Sequence, residues 1–286
     1  MSTASVLIPS DTWSAAAGEP GHPRYSMLLC TDADSIDAAQ RLRYEVFTSE
    51  PGFTLAAGDT SGSAGGRDAD RFDEHCDHLL VRDDDTGELV GCYRMLPPPG
   101  AIAAGGLYTA TEFDVAALDP LRPSLVEMGR AVVRADHRNG AVVLLMWAGI
   151  LAYLDRSGYD YVTGCVSVPV ADPQGEARPG SQLRGVRDFV LRRHAAPAEY
   201  TVHPYRPVVL DGCALDDIEP PTRVAVPALM RGYLRLGAQV CGQPAHDPDF
   251  GVGDFPALLD KRRADTRYLR RLRSVGAAAV AVGESA

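Results

Sequence analysis

Between Glu127 and Tyr153 the chain sets a carboxylate, several guanidinium groups and an Asn-Gly turn in quick succession. The run is Glu127-Met128-Gly129-Arg130, then Ala131-Val132-Val133, then Arg138-Asn139-Gly140-Ala141-Val142. Glu127 can take a proton, and Arg130 stands three positions on. In a strand such residues face opposite sides, so a direct Glu127–Arg130 pair needs a bulge or a bend. A sheet-fixing ion pair is the competing role for Glu127, because a paired carboxylate is a poor base unless its pKa is raised.

Local structure must hold these groups in place. Ala131 to Val133 is a short β-branched run that suits a strand. His137 to Ala141 reads as a turn around Asn139-Gly140. Residues 141–154 are apolar almost without a break. That run is short for a bilayer span and fits a buried helix ending at Ser157-Gly158. A strand turning sharply into a helix leaves unpaired N–H groups at the positive end of the helix dipole, which favours an anion. Arg138 adds a fixed charge, and Gly140 allows close backbone approach. The same residues also suit an ordinary βα connection.

Arg138-Asn139-Gly140-Ala141 resembles the pyrophosphate loop of acetyltransferases of the GNAT superfamily. Glu127 to Arg130, Leu144 to Trp147 and Tyr153 are similar to the ornithine-acyl carrier protein N-acyltransferases, often called hemolysin-like. A more distant resemblance is to acyl-homoserine-lactone synthases. Further blocks agree. Arg43 and Phe47 match an Arg-x-x-x-Phe signature, and Gly91, Arg94, Leu96 and Pro97, with Asp73 and Asp77, match a Gly-x-x-Arg-Leu-Leu-Pro strand preceded by paired aspartates. Pro227 to Ala238 resembles a Pro-x-Leu-x-x-Gly-Tyr-Leu-Arg-Leu-Gly-Ala block, and Asp247 to Asp254 its Asp-x-x-Phe-x-x-x-Asp ending.

The resemblance implies an α/β fold: a GNAT-like mixed central sheet with a splayed strand pair, flanked by helices. It implies an N-acyltransferase moving a (3-hydroxy)acyl chain from acyl carrier protein or CoA to an amino-acid amine such as ornithine. No tightly bound cofactor is expected; the donor is a substrate. The loop Arg138 to Val142 would anchor the donor phosphate, and backbone N–H groups of Ala131 to Val133 would hold the thioester carbonyl in the splay. Asp73 and Asp77 would bind a cationic amino acid, Arg94 its carboxylate or the donor's phosphate, and Arg43 and Phe47 would belong to the same substrate-binding set. Hairpin-edge solvation and ion pairs are the competing roles for these residues. An acyl-homoserine-lactone synthase and a non-catalytic acyl-CoA or lipid-binding module remain as alternatives.

The rest of the chain sets bounds. A formal net charge of −10 argues against a general nucleic-acid binder. Lys261 is the only lysine. The six cysteines are scattered without a Cys-x-x-Cys pair and read as reduced thiols in a cytosolic protein. No signal peptide is visible. His75-Cys76-Asp77-His78 has no zinc spacing, and no metal is expected.

Residues 1–24 read as a flexible tail, 25–260 as the acyltransferase domain, and 261–286 as a basic helix and tail. Pro51 to Asp70 reads as a long loop, and Pro97 to Gly106 as a further loop. A hairpin is expected over residues 78–96 and a strand over 159–168, parallel to the one at Ala131. A helix over 182–193 carries Arg184, Arg187, Arg192 and Arg193. The Pro227 to Ala238 block reads as a helix capped at Gly237, followed by two short strands. The basic residues from Lys261 to Arg273 suit solvent, an acidic carrier protein or anionic lipid headgroups. The location expected is therefore cytoplasmic, with possible peripheral contact at the inner face of the membrane.

Overall fold

The computed structural model describes residues 4–10, 24–49, 65–138, 140–172 and 178–277. Asn139, most of the 1–24 tail and of the 51–70 loop, and residues 278–286 lie outside the described residues.

One nine-stranded sheet organises the chain. Its strands are β1 Ser5–Ile8, β2 Tyr25–Cys30, β3 Asp77–Asp83, β4 Leu89–Leu96, β5 Leu125–Val133, β6 Tyr161–Pro169, β7 Gln239–Val240, β8 Ala245–Asp247 and β9 Val252–Asp260. The order is β1-β2-β3-β4-β5-β6-β9-β7, with β8 also paired to β9. Only β5 and β6 run parallel; the other neighbours are antiparallel. The sheet is mixed because α3, Gly140–Ser157, carries the chain from β5 to β6 as a crossover.

Helices cover both faces. α1, Ala33–Ser49, lays Ala39, Leu42 and Val46 against Leu80, Cys92 and Val132. The other face takes α3, whose Val142, Leu145, Met146, Ile150 and Leu154 enter the main core. α2 is the short Pro98–Ala103, inside a stretch expected to be loop. α4, Ser181–Arg193, and α5, Ala228–Leu236, follow as expected, and Gly237 caps α5 at φ 100°. α6, Thr266–Ala277, packs Leu269 and Leu272 into the main core and so joins the domain.

Several expectations change. Ser5–Ile8 pairs with β2 although the tail shows no sequence period. α3 is long and apolar enough to cross a membrane by length and composition, yet most of its side chains are packed in this core. The largest difference is β9. It pairs along the whole of β6, from Val252 opposite Pro169 to Asp260 opposite Tyr161. With Pro256 at its centre and mixed polarity, it has little strand signal.

Candidate active site

The β5–β6 ladder stops almost as soon as it begins. Leu125 pairs with Tyr161, Val126 with Val162 and Glu127 with Thr163, and no pairing follows. At the parting point a Cβ on Gly164 would lie 2.2 Å from the carbonyl oxygen of Met128, so only glycine fits. On its other side β5 is bulged. Cys92 opposes Val132 and Arg94 opposes Gly129, leaving an extra residue on β5 opposite Tyr93. Arg130, in the bulge, has φ 51°.

The gap opens into a cavity of about 220 Å³. At the end towards the main core the lining is apolar, with Trp147, Val162, Val166, Tyr233 and Leu259. Alternation against Val126 and Phe255 of that core turns Glu127 and Asp254 to the other end, which is charged, with Arg94, Arg130, Glu112 and Asp247 also in the lining. Phe47 and Ala131 also line it.

Glu127 is buried and held by three donors. The Thr109 amide donates to Oε1 at 2.7 Å, the Thr109 hydroxyl donates to the same oxygen, and the Tyr108 amide donates to Oε2. Burial pushes its pKa up, and these hydrogen bonds oppose the rise. One acceptor position on Oε2 is left over. The bulge brings no Glu127–Arg130 ion pair. Arg130 instead pairs with Asp68 and Asp70, each at 3.3 Å, and lies over the Tyr108 ring at 4.9 Å.

Arg43 and Asp73 are also committed elsewhere. Arg43 is completely buried and grips Asp73 with two nitrogens, at 3.0 and 2.8 Å, and Asp68 at 2.9 Å. Arg94 reaches Asp70 at 2.6 Å and Asp73 at 3.0 Å. Despite burial, Arg43 and Arg94 hold the Asp73 carboxyl well below the usual carboxylate range. The network ties α1, β4 and β5 together beneath the cavity. Arg43 and Asp73 are thus buried ion partners that do not line the cavity. Asp77 likewise faces away, accepting a hydrogen bond from the Tyr153 hydroxyl at 2.6 Å. Of the five residues expected to bind substrate, Phe47 and Arg94 reach the cavity.

The expected donor loop is divided. Ala131 lines the cavity, Val132 packs towards α1, and Val133 packs on the opposite core. Val142 is completely buried. Arg138 is exposed, its Nε donating to the Val133 carbonyl at 3.0 Å. A Cβ on Gly140 would meet nothing within 4 Å, so the space over the start of α3 is open. The expected Arg184 and Arg187 patch is largely spent: Arg184 pairs with Asp188 at 2.8 Å, and Arg187 with Asp216 at 2.6 Å.

Three carboxylates outside the expected set of site residues stand together. Glu112, Asp247 and Asp254 have oxygens within 4.8 Å of one another. Asp247 opposes Val252 in the β8–β9 ladder, and Asp254 lies two residues on, so the two leave the same face. The Ser167 hydroxyl donates to Asp254 at 2.6 Å, while Glu112 Oε2 is buried with no hydrogen-bond partner. Burial and the neighbouring carboxylates push Glu112 up to about 8, and burial, with Asp247, pushes Asp254 up to about 6. Such a set has room for a cation, either an ammonium or a hard metal ion. Nothing local in Thr111-Glu112-Phe113 announced it; only the Asp247-to-Asp254 block held a signal. Cys165 also lines the cavity, and burial holds its thiol protonated, which disfavours a thiolate nucleophile.

Comparison with known proteins places these features in context. Residues 42–148 match the acetyltransferase (GNAT) domain model. The chain is 35% identical to an L-ornithine N(alpha)-acyltransferase of Brucella abortus (strain 2308), over 84% of this chain and 86% of that protein. It is 34% identical to an L-ornithine N(alpha)-acyltransferase of Agrobacterium fabrum (strain C58 / ATCC 33970), over 84% and 82%. Among solved structures, it superposes on a CoA-dependent acyl-homoserine lactone synthase with a TM-score of 0.47 and 18% identity, covering 85% and 83% of the chains.

Proposed function

This chain belongs to the L-ornithine N(alpha)-acyltransferase family and is an acyltransferase, and we propose that it acylates the α-amine of a cationic amino acid, ornithine being the acceptor the relatives' name points to. The observation that carries the reading is the two-ended cavity in the β5–β6 gap: apolar at one end, with the carboxylates of Glu127, Glu112, Asp247 and Asp254 at the other.

The acyl chain lies at the Trp147 and Leu259 end. The thioester carbonyl meets β5 past the bulge, where the strand edge facing β6 has no ladder partner to compete for its N–H groups. The donor phosphate lies over the start of α3, against Arg138, Gly140 and Ala141. The acceptor's side-chain ammonium enters among Glu112, Asp247 and Asp254, and its charge replaces the protons that raised pKa values let them hold.

The α-amine must lose a proton before it attacks. Glu127 is the base: its donors fix its orientation, and burial raises its proton affinity. Proximity of acceptor and thioester within one cavity supplies much of the remaining acceleration.

Acyl carrier protein is the proposed donor partner. In an acidic chain, an acidic carrier needs a local positive face. Arg263, Arg267, Arg270 and Arg271, around α6, are exposed and pair with no carboxylate among the described residues. The same face suits anionic lipid headgroups, which supports the reading of a cytoplasmic protein with peripheral contact at the inner face of the membrane. The function is tested by mass spectrometry of lipids from a host expressing the chain, with purified protein assayed on acyl carrier protein thioesters and ornithine. N-acylornithine is expected; no acylated amino acid in either assay refutes the reading.

A further inference from the structure

The apolar end of the cavity closes on Trp147, from α3, and Leu259, from β9. The same two side chains line a second, smaller void of about 20 Å³, which also touches α5 and α6. Its walls are Ile150, Leu151 and Leu154 of α3, Leu236 of α5, Leu269 and Leu272 of α6, and Lys261 just past β9. Apart from Lys261 its lining is apolar, and it opens partly to solvent. Trp147 and Leu259 are thus a partition one side chain thick between two apolar spaces.

The partition is braced. The Trp147 ring packs edge-on against Tyr233 at 4.7 Å, and the Tyr233 hydroxyl is hydrogen-bonded to that of Tyr93 on β4. Leu259 is fixed from the other side, since its strand position pairs with Val162 of β6. Packed side chains of this kind do not yield smoothly to a longer ligand.

We propose that Trp147 and Leu259 are the length stop for the acyl chain, and that the void behind them is where the slot extends when either side chain is shortened. The proposal rests on the reading of the large cavity as the acyl site. A chain that ends at the partition fills the slot, and each further methylene must displace it. Once the partition is opened, each added methylene that reaches the leucine-lined void gains about fourfold in binding.

The test is competition between acyl thioesters of graded length, with Leu259→Ala, Leu259→Val and Trp147→Phe compared with the parent protein. Leu259→Ala is expected to move the optimum two or three methylenes longer, raising the long-to-short ratio of kcat/KM at least tenfold. Leu259→Val and Trp147→Phe, gentler on the fold, are expected to move it the same way by less. Adding Leu272→Phe to Leu259→Ala refills the void and is expected to restore the original optimum. An unmoved optimum in active Leu259 and Trp147 variants overturns the stop, as does a shift that Leu272→Phe leaves intact. Failure of the function itself reads differently: the parent protein would then transfer no chain of any length to an amine.

Discussion

Thr109 and Glu127 are joined twice, the backbone amide and the side-chain hydroxyl of Thr109 both donating to Glu127 Oε1. The carboxylate is thereby aimed before substrate arrives. Glu127→Gln is expected to lower kcat by about 100-fold or more, as for loss of a general base, with donor affinity retained. Thr109→Val removes one donor to the ionised form, so the Glu127 pKa rises. The acidic limb of the kcat/KM profile should then move to higher pH. Steady-state kinetics across pH checks both.

Arg43 and Asp73 should govern stability. Removing one member of a buried, hydrogen-bonded pair leaves the other uncompensated, so Arg43→Met or Asp73→Asn is expected to cost about 3–5 kcal/mol in denaturant unfolding. The pH sign follows from the lowered Asp73 pKa. Its contribution is fully present above the unfolded carboxylate value of about 3.9 and is lost as pH falls through the lower folded value. The Asp73→Asn variant should lack that acid-side loss.

The acidic trio predicts a selective acceptor defect. Asp247→Asn is expected to raise KM for ornithine about tenfold or more while leaving an uncharged-side-chain analogue such as norvaline nearly unaffected. Ornithine binding should tighten from pH 6 to 8, as Asp254, near 6, and Glu112, near 8, give up protons. Without ligand the sign is opposite. Raised carboxylates keep protons in the folded state, so their contribution to stability falls as pH rises from about 4 through those values. Calorimetric titration at several pH values, with and without added magnesium, separates an ammonium site from a metal site.

Charge reversal at the donor anchor should act on the other substrate. Arg138→Glu is expected to weaken acyl carrier protein or CoA thioester binding about tenfold and leave the ornithine KM unchanged. Unchanged donor affinity in a folded variant would remove Arg138 from the anchor.

The basic α6 face predicts a salt signature. Activity with acyl carrier protein should fall with ionic strength more than activity with any usable acyl-CoA, because long-range steering is screened. Reversing Arg267, Arg270 and Arg271 to Glu should reproduce that selective loss at low salt. Leu269 and Leu272 anchor the helix, so the reversals leave its packing in place.

The sequence by itself determined the elements whose signals are local. The apolar run after Gly140 announced α3, the turn signals announced the β3–β4 hairpin, and Gly237 announced the end of α5. The motifs at Glu127, Arg138 and Tyr233 were enough to indicate the family. Tertiary structure decided which charges are available. Arg43, Asp73 and Asp77 match a substrate-binding pattern, but packing spends them on Asp68, Arg94 and Tyr153. Asp247 and Asp254 sit in a recognisable block, but Glu112 carries no local signal, and nothing in the sequence says that the three meet; that happens only when β9 folds back along β6. A carboxylate's chemistry is set by desolvation and by its neighbours, and both are long-range properties of the fold.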